Sequence, residues 1–349
     1  RETLAFVNRG GAPGKPIAVD GHGAWLTGAD PCPAEGWTPY KDGTDGTLVR
    51  EDLTQKGPWF SLCIDRAMTW GVRSMDVPQP GEFTFVRQGK TNTLYFLPPE
   101  GTKAKDCRVE AGQPDGTTVV LDPAKWSASH SRNRKVRRHR GLAHPPTWIK
   151  LDGKTTSMVE ARTRLQPGTW CRHGRAVYVR PPEGKTMADM KLLAVSRACG
   201  VALQGKASHF VIRNLNVVYV ANDGYNIHGA ITHARFENCN AFYCFDEGFS
   251  SHDKCETTLD GAVYVHCDNG IANVNQCTSV TRNVVLAHAR SVGFLIKTKG
   301  APRPHTIENA ILVDNPSQIS VNETHGDNLL IVRTPACKRA SALHMGRDV

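Results

Sequence analysis

The chain has 349 residues, a net charge of +10, 40% apolar residues and 22% charged ones. That composition suits a folded chain and not a disordered one, and no apolar run approaches the ~18 residues of a membrane-spanning helix. The excess of 43 Lys and Arg over 33 Asp and Glu favours an anionic partner: an acidic glycan, nucleic acid or a membrane surface. No zinc-finger, RNP-type or helix-turn-helix signature supports nucleic acid.

The chain begins at Arg1, which fits a processed or trimmed N-terminus. Residues 14–28 alternate apolar and polar side chains between glycines and read as the first ordered coils. Residues 29–60 are rich in Gly, Pro and Asp and read as a long loop, and strand character returns at 60–76. Residues 1–79 are thus expected to form N-terminal coils carrying a long loop.

An internal similarity follows. Pro80-Gly-Glu-Phe leads to Leu94-Tyr-Phe-Leu-Pro-Pro-Glu-Gly101, and Pro167-Gly-Thr-Trp leads to Val177-Tyr-Val-Arg-Pro-Pro-Glu-Gly184. The two Pro-Pro-Glu-Gly turns lie 83 residues apart. Each unit reads as a β-hairpin closed by a Pro/Gly turn, so an inserted β-hairpin-rich region is expected over 80–190. The basic run 131–140 inside it reads as a solvated, mobile loop, with contact to a glycan as the alternative.

The main solenoid and a C-terminal tail occupy 191–349. Gly224, Gly248, Gly270 and Gly293 recur at intervals of 24, 22 and 23 residues, each followed by an apolar residue: Tyr225, Phe249, Ile271 and Phe294. A repeat this short cannot enclose its own core and must stack on its neighbours. Asn214, Asn238, Asn283 and Asn309 recur in step and read as a hydrogen-bonded ladder at a coil corner. Strand-rich composition with this period predicts a solenoid of parallel β-coils that ends near Val332, with 334–349 as a basic tail or short cap. Eleven cysteines without a Cys-x-x-Cys pair argue against zinc. They read as small core residues, with one or two disulfides as the alternative.

Aligning the coils on their glycines places side chains from distant positions side by side. With Tyr225, Phe249, Ile271 and Phe294 inside, alternation turns positions 226, 250, 272 and 295 outward, along with His228, His252 and Lys297. Asp223, Asp246, Glu247 and Asp268 crowd the adjoining corner. Stacked acids raise one another's pKa, which suits a shared proton or a bound cation.

The Gly-x-apolar pattern resembles the right-handed parallel β-helices of the pectin-lyase type. Within them, Asn222-Asp223-Gly224, Asp246-Glu247, Asp268-Asn269-Gly270 and Leu295-Ile296-Lys297-Thr298 resemble the four successive motifs of polygalacturonase-type glycoside hydrolases. Glu247, Asn269 and Leu295 depart from that family's Asp, His and Arg. The resemblance implies general acid and base roles for the acids, and a substrate carboxylate held by the Lys. A second segment, Gly248-Phe249-Ser250-Ser251-His252-Asp253, resembles the Asp-Pro-His-Glu motif of alginate C5-epimerases, with Ser250 in place of the catalytic Asp.

The resulting expectation is an all-β, right-handed parallel β-helix that is secreted or periplasmic and acts on an acidic polysaccharide. Glycoside hydrolysis comes first, with Glu247 as general acid, Asp223 or Asp246 activating water, and His252 in the catalytic set. His228, Lys297, Asn226 and Asn269 would bind substrate. A lyase or epimerase using His and Lys, and a non-catalytic glycan-binding β-helix, are the alternatives. No cofactor is expected for hydrolysis; calcium at the acid corner would go with a lyase.

Overall fold

The computed structural model describes residues 3–41, 46–51, 61–64, 67–69, 73, 77–88, 91–112, 118–128, 135–140, 148–152, 154–156, 160–173, 176–298, 303–322, 330–333 and 344–346. The chain divides into two units. One comprises 1–33, 56–69 and 191–349, the other 34–55 and 70–190.

The first unit is a parallel β-solenoid of about five turns. Two long strands, Val201–Val218 and Tyr225–Phe242, pair in parallel along their length and split into two columns above. One column continues through Glu256–Val265, Thr278–Ala287, His305–Val313 and Leu330–Arg333. The other continues through Glu247–Ser251, Asn269–Asn275, Val292–Thr298, Ser317–Asn322 and His344–Gly346. The last of these lies in the segment expected to be a tail or cap, so the second column extends beyond Val332. At the opposite end, Leu4–Val7 and Ile17–Thr27 pair in parallel with Val201–Val218.

The glycine period has a steric cause. A Cβ at Gly224 would sit 2.6 Å from the carbonyl oxygen of Gly248, one at Gly248 would sit 2.7 Å from that of Gly270, and one at Gly270 would sit 2.5 Å from that of Gly293. Each rung enters this corner too close to the next for any side chain. The apolar residue after each glycine turns inward, and Tyr225, Phe249, Ile271 and Phe294 are at most 1% exposed. Burying each such side chain is worth roughly 1.5–3 kcal/mol.

The corners rely on left-handed backbone. Asn214, Asn238, Asn283 and Asn309 all have φ between 49° and 55°, a region Asn tolerates better than most residues. Their amides form the expected ladder. Asn238 Nδ2 donates to Asn214 Oδ1 at 3.2 Å, and Asn309 Nδ2 to Asn283 Oδ1 at 2.6 Å. The rung between them lacks an Asn at this place; Asp260 accepts from Asn283 Nδ2 instead. A second left-handed corner stacks Tyr219, Tyr243, His266 and His288, with ring centroids 4.8–5.4 Å apart.

The cysteines follow the core reading. The ten described are buried free thiols, five of them (Cys239, Cys244, Cys255, Cys267 and Cys277) within the solenoid core. Residues 29–60, expected to be one long loop, contain Ala29–Cys32, which pairs with Leu192–Val195, and Leu48–Arg50, which pairs with Ala176–Arg180. Among the described residues no helix is long and apolar enough to cross a membrane.

Among the described residues, the second unit holds three antiparallel sheets. Its hairpins include Phe83–Gln88 with Thr91–Phe96, and Thr169–His173 with Ala176–Arg180. Each is closed by the same bond: Gly81 N–H to Leu97 O and Gly168 N–H to Arg180 O, both 2.8 Å. Each Pro-Pro-Glu-Gly turn then leads into one 3-10 turn, Ala104–Asp106 or Met187–Asp189. The similarity read from the sequence is therefore a structural duplication. The basic run is not simply a loop: Arg137–Arg140 is a strand paired with Thr93–Phe96. Residues 131–134 lie outside the described residues.

Candidate functional site

Three successive rungs of the solenoid line a groove of about 640 Å³, with residues that include Asp223, Asn226, His228, Asp246, Glu247 and His252. Six of the eight candidate residues therefore meet in one place. Tyr225 pairs with Phe249, which sets Asp223 level with Glu247, and Glu247 pairs with Asn269. Asp223, Glu247 and Asn269 thus occupy successive rungs.

Asp223 is 2% exposed. Its carboxylate accepts from Asn226 Nδ2 and, at 3.3 Å, from the backbone N–H of Glu247. Glu247 accepts from Asn269 Nδ2 at 2.9 Å. The nearest carboxylate oxygens of Asp223, Asp246 and Glu247 all lie within 4.8 Å of one another. Taking three acids out of water beside one another disfavours ionisation, first through desolvation and then through mutual repulsion. Asp223 is pushed up to about 6, and hydrogen bonds to its ionised form keep it the lowest of the three. Burial, then the charges of Glu247 and Asp268, push Asp246 up to about 8. Burial, then the charge of Asp223, push Glu247 up to about 8.

His228 and His252 stack one above the other, ring centroids 4.1 Å apart. His252 Nε2 lies 2.8 Å from Ser250 Oγ. Burial, and then the neighbouring His228, lower the His252 pKa to about 4; burial also lowers that of His228. Both rings are therefore expected to be neutral at pH 7.

The placements expected for Lys297, Asp268 and Asn269 need correction, and part of the outward series is covered. Positions 226, 250 and 272 follow the outward alternation but are not exposed: Asn226, Ser250 and Ala272 are at most 6% exposed. Asn226 is held by the Asp223 carboxylate, and Ser250 by the His252 ring. Lys297 is exposed and pairs in register with Val274, which sets it two rungs beyond His252 and outside the groove lining. Asp268 also lies outside the lining; Ser291 Oγ donates to it at 3.0 Å, and Arg290 lies 3.6 Å away. Asn269 acts through Glu247 and does not itself line the groove.

Sequence reasoning missed Gln204, which also lines the groove, as does Asp253, the last residue of the segment resembling the epimerase motif but not among the expected site residues. Gln204 pairs with His228, so extending the 24-residue interval one coil back would have found it. Asp253 accepts from Gly229 N–H and from Asn275 Nδ2, both at 3.1 Å. It sits at a left-handed corner, with φ of 59°.

Comparison with protein-family models finds no match, and comparison with curated proteins finds none. Among solved structures, XylC in complex with xylose aligns over 92% of this chain and 58% of that one, with 8% identity and a TM-score of 0.40. The chain spans less than two thirds of that protein's length. A likeness at this level carries no argument about activity.

Proposed function

We propose that the protein is a glycoside hydrolase, with Asp223 as nucleophile and Glu247 as general acid and base. The observation that carries this reading is the cluster of three acids, Asp223 buried and Asp246 and Glu247 half-buried, with nearest oxygens within 4.8 Å of one another. Desolvation and crowding push Asp223 up to about 6 and Glu247 and Asp246 up to about 8. Near neutral pH the first is ionised and the other two hold protons. One carboxylate beside one carboxylic acid is what acid-assisted cleavage of a glycosidic bond requires.

We assign retention of configuration, because the acids stand too close to one another for a water to lie between them. Carboxyls of inverting enzymes stand ~6.5–9.5 Å apart to admit a water, and those of retaining enzymes ~5–5.5 Å apart. Here the nearest oxygens lie within 4.8 Å. In the first step Glu247 protonates the leaving oxygen while Asp223 attacks the anomeric carbon and the glycosidic bond breaks. In the second, Glu247 takes a proton from water, the water oxygen bonds to the anomeric carbon, and Asp223 leaves. Asn226 holds the Asp223 carboxylate in place, and Asn269 does the same for Glu247.

The described lining includes no Lys or Arg, and its two histidines are neutral at pH 7. The groove therefore suits a neutral sugar at the cleaved bond better than a uronate. The same lack disfavours a lyase or epimerase, which must stabilise an enolate beside a carboxylate. The three acids also have the donor chemistry to bridge a calcium ion, but the proposed reaction needs the proton on Glu247 and no metal. Activity should therefore survive a chelator.

The test is turnover of a glycan panel, read by anomeric NMR. Retained configuration, with a 2-deoxy-2-fluoro glycoside trapped on Asp223 and located by mass spectrometry, is expected. Inversion would remove Asp223 as nucleophile. An unsaturated, ultraviolet-absorbing product or calcium-reversible loss of activity would replace hydrolysis with elimination.

A further inference from the structure

A second cavity, of about 890 Å³, lies wholly within the hairpin unit. Its lining brings together Lys103, Lys105, Lys135 and Arg137 around Trp126, with Glu100 as the one carboxylate among the described lining residues. We infer that this cavity is a binding site for an anionic oligosaccharide, with the cations holding carboxylate or sulfate groups and Trp126 packing against a sugar ring.

The walls are fixed by the core beneath. Phe83 and Phe96 stack at 4.2 Å between ring centroids, and Trp126 packs on Phe96 at 5.4 Å and edge-on to His139 at 5.2 Å. Asp122 accepts the Ala124 N–H at 3.0 Å and caps the short 3-10 turn that delivers Trp126. The opposite rim is the Pro98-Pro99-Glu100-Gly101 turn, closed by Thr102 N–H to Pro99 O at 3.0 Å. Proline fixes φ, so this rim loses little freedom when a ligand binds.

The duplicated hairpin supplies an internal control. Eighty-three residues on, the same Pro-Pro-Glu-Gly turn leads into the same 3-10 turn, yet Lys103 and Lys105 are matched by Thr186 and Ala188. The scaffold therefore folds without cations at these places, and Lys103 and Lys105, both exposed, are not required by it. They are additions to the first copy; the second carries Arg180 and Lys185 at the places of Leu97 and Thr102.

Single-stranded nucleic acid offers the same charge, but its binders use successive aromatic platforms along an extended groove. This cavity has one aromatic residue in its described lining. A sugar ring against one tryptophan with flanking cations fits it better.

Calorimetry on the full chain decides the matter without reference to turnover, so a failed hydrolase assignment leaves it untouched. The probes are trigalacturonate for carboxylates, a heparin tetrasaccharide for sulfates, xylotriose as a neutral sugar and oligothymidylate. At least one acidic sugar should bind more tightly than the other two probes, and more weakly as salt rises. The Lys103→Ala/Lys105→Ala double variant should lose at least ~10-fold in affinity, since two charge contacts are removed. Trp126→Phe should lose less. Equal binding of xylotriose, tighter binding of oligothymidylate, an unchanged double variant, or no binding of either acidic sugar would each overturn the inference.

Discussion

The rungs at 223–252 and those at 269–297 occupy the same column of the same stack and share one inward-facing series, Tyr225, Phe249, Ile271 and Phe294. They differ in what they present beside it. The lower rungs carry Asp223, Asn226, His228, Asp246, Glu247, Ser250 and His252. At the positions of Glu247, Ser250 and His252, the upper rungs carry Asn269, Ala272 and Val274, and then Val292, Leu295 and Lys297. The backbone is indifferent to this change, because the close glycine corners and the aromatic core carry the stacking. The groove-lining acids and histidines named above are thus confined to two rungs of a scaffold that continues without them, and the sharpest experiments alter one rung and leave the scaffold intact.

The largest effect is expected at Glu247. Glu247→Gln keeps the hydrogen bond from Asn269 and the shape of the side chain but removes the transferable proton. Turnover should fall at least ~100-fold, with KM and the circular dichroism spectrum unchanged. Turnover close to that of the unaltered protein on a verified substrate would remove the distinction between lower and upper rungs.

Gly248→Ala tests the scaffold that both sets of rungs share. Its Cβ would lie 2.7 Å from the Gly270 carbonyl oxygen and 2.9 Å from Tyr264 Cγ. Neither backbone nor a fully buried ring can easily yield, so a loss of roughly 1–3 kcal/mol is expected, read as a lower denaturation midpoint. Unchanged stability would show that the glycine ladder is not what sets the close spacing.

These two positions also mark what the sequence discloses. The stacking is legible because it repeats: each rung meets the same steric limit at Gly224, Gly248 and Gly270, and the same left-handed corner at Asn214 and Asn238. Alternation also identifies the inward series. It does not say how deeply an outward side chain is covered, and at Asn226 and Ser250 local hydrogen bonds and neighbouring rings bury it. Motif order likewise drew Lys297 into the site although its rung stands two steps away. Gln204 was missed because it departs from the glycine-centred motif. In the hairpin unit the duplication was legible from Pro-Pro-Glu-Gly, but the cavity was not. Trp126 and Arg137 reach it through antiparallel pairing of segments far apart in sequence.

Crowded acids predict an inverted pH response. Asp246 has a folded pKa of about 8, well above its ordinary 3.8, because burial and then Glu247 oppose its charge. Below the unfolded value both states hold the proton and nothing is lost. As pH rises from about 4 to about 8 the unfolded chain ionises first, so the folded state loses stability across that window. Asp246→Asn removes this loss. Its melting temperature should match that of the unaltered protein near pH 4 and exceed it at pH 8, by roughly 2–4 °C for each kcal/mol relieved. An equal difference at both pH values would mean that Asp246 is not held protonated. His252 acts with the opposite sign: its folded pKa of about 4 costs stability as pH falls from its ordinary 6.5, so His252→Ala should melt closer to the unaltered protein at pH 4 than at pH 8.

The smallest effect is expected at Lys297. Its register with Val274 sets it two rungs, about 10 Å, beyond His252. An exposed charge contact is typically worth ~0.2–1 kcal/mol, so Lys297→Ala should change kcat/KM by less than about 5-fold on any glycan. On a neutral substrate the change should vanish, since the ammonium then has no charged partner. If the variant instead loses kcat on an acidic glycan, the lysine acts on the transition state and the sugar at the cleaved bond carries the carboxylate. If only KM rises, and only on an acidic glycan, the chain of sugars runs along the solenoid axis and touches the upper rungs after leaving the acids. That outcome would keep the chemistry at Asp223 and Glu247 and turn the upper rungs from bare scaffold into a binding surface.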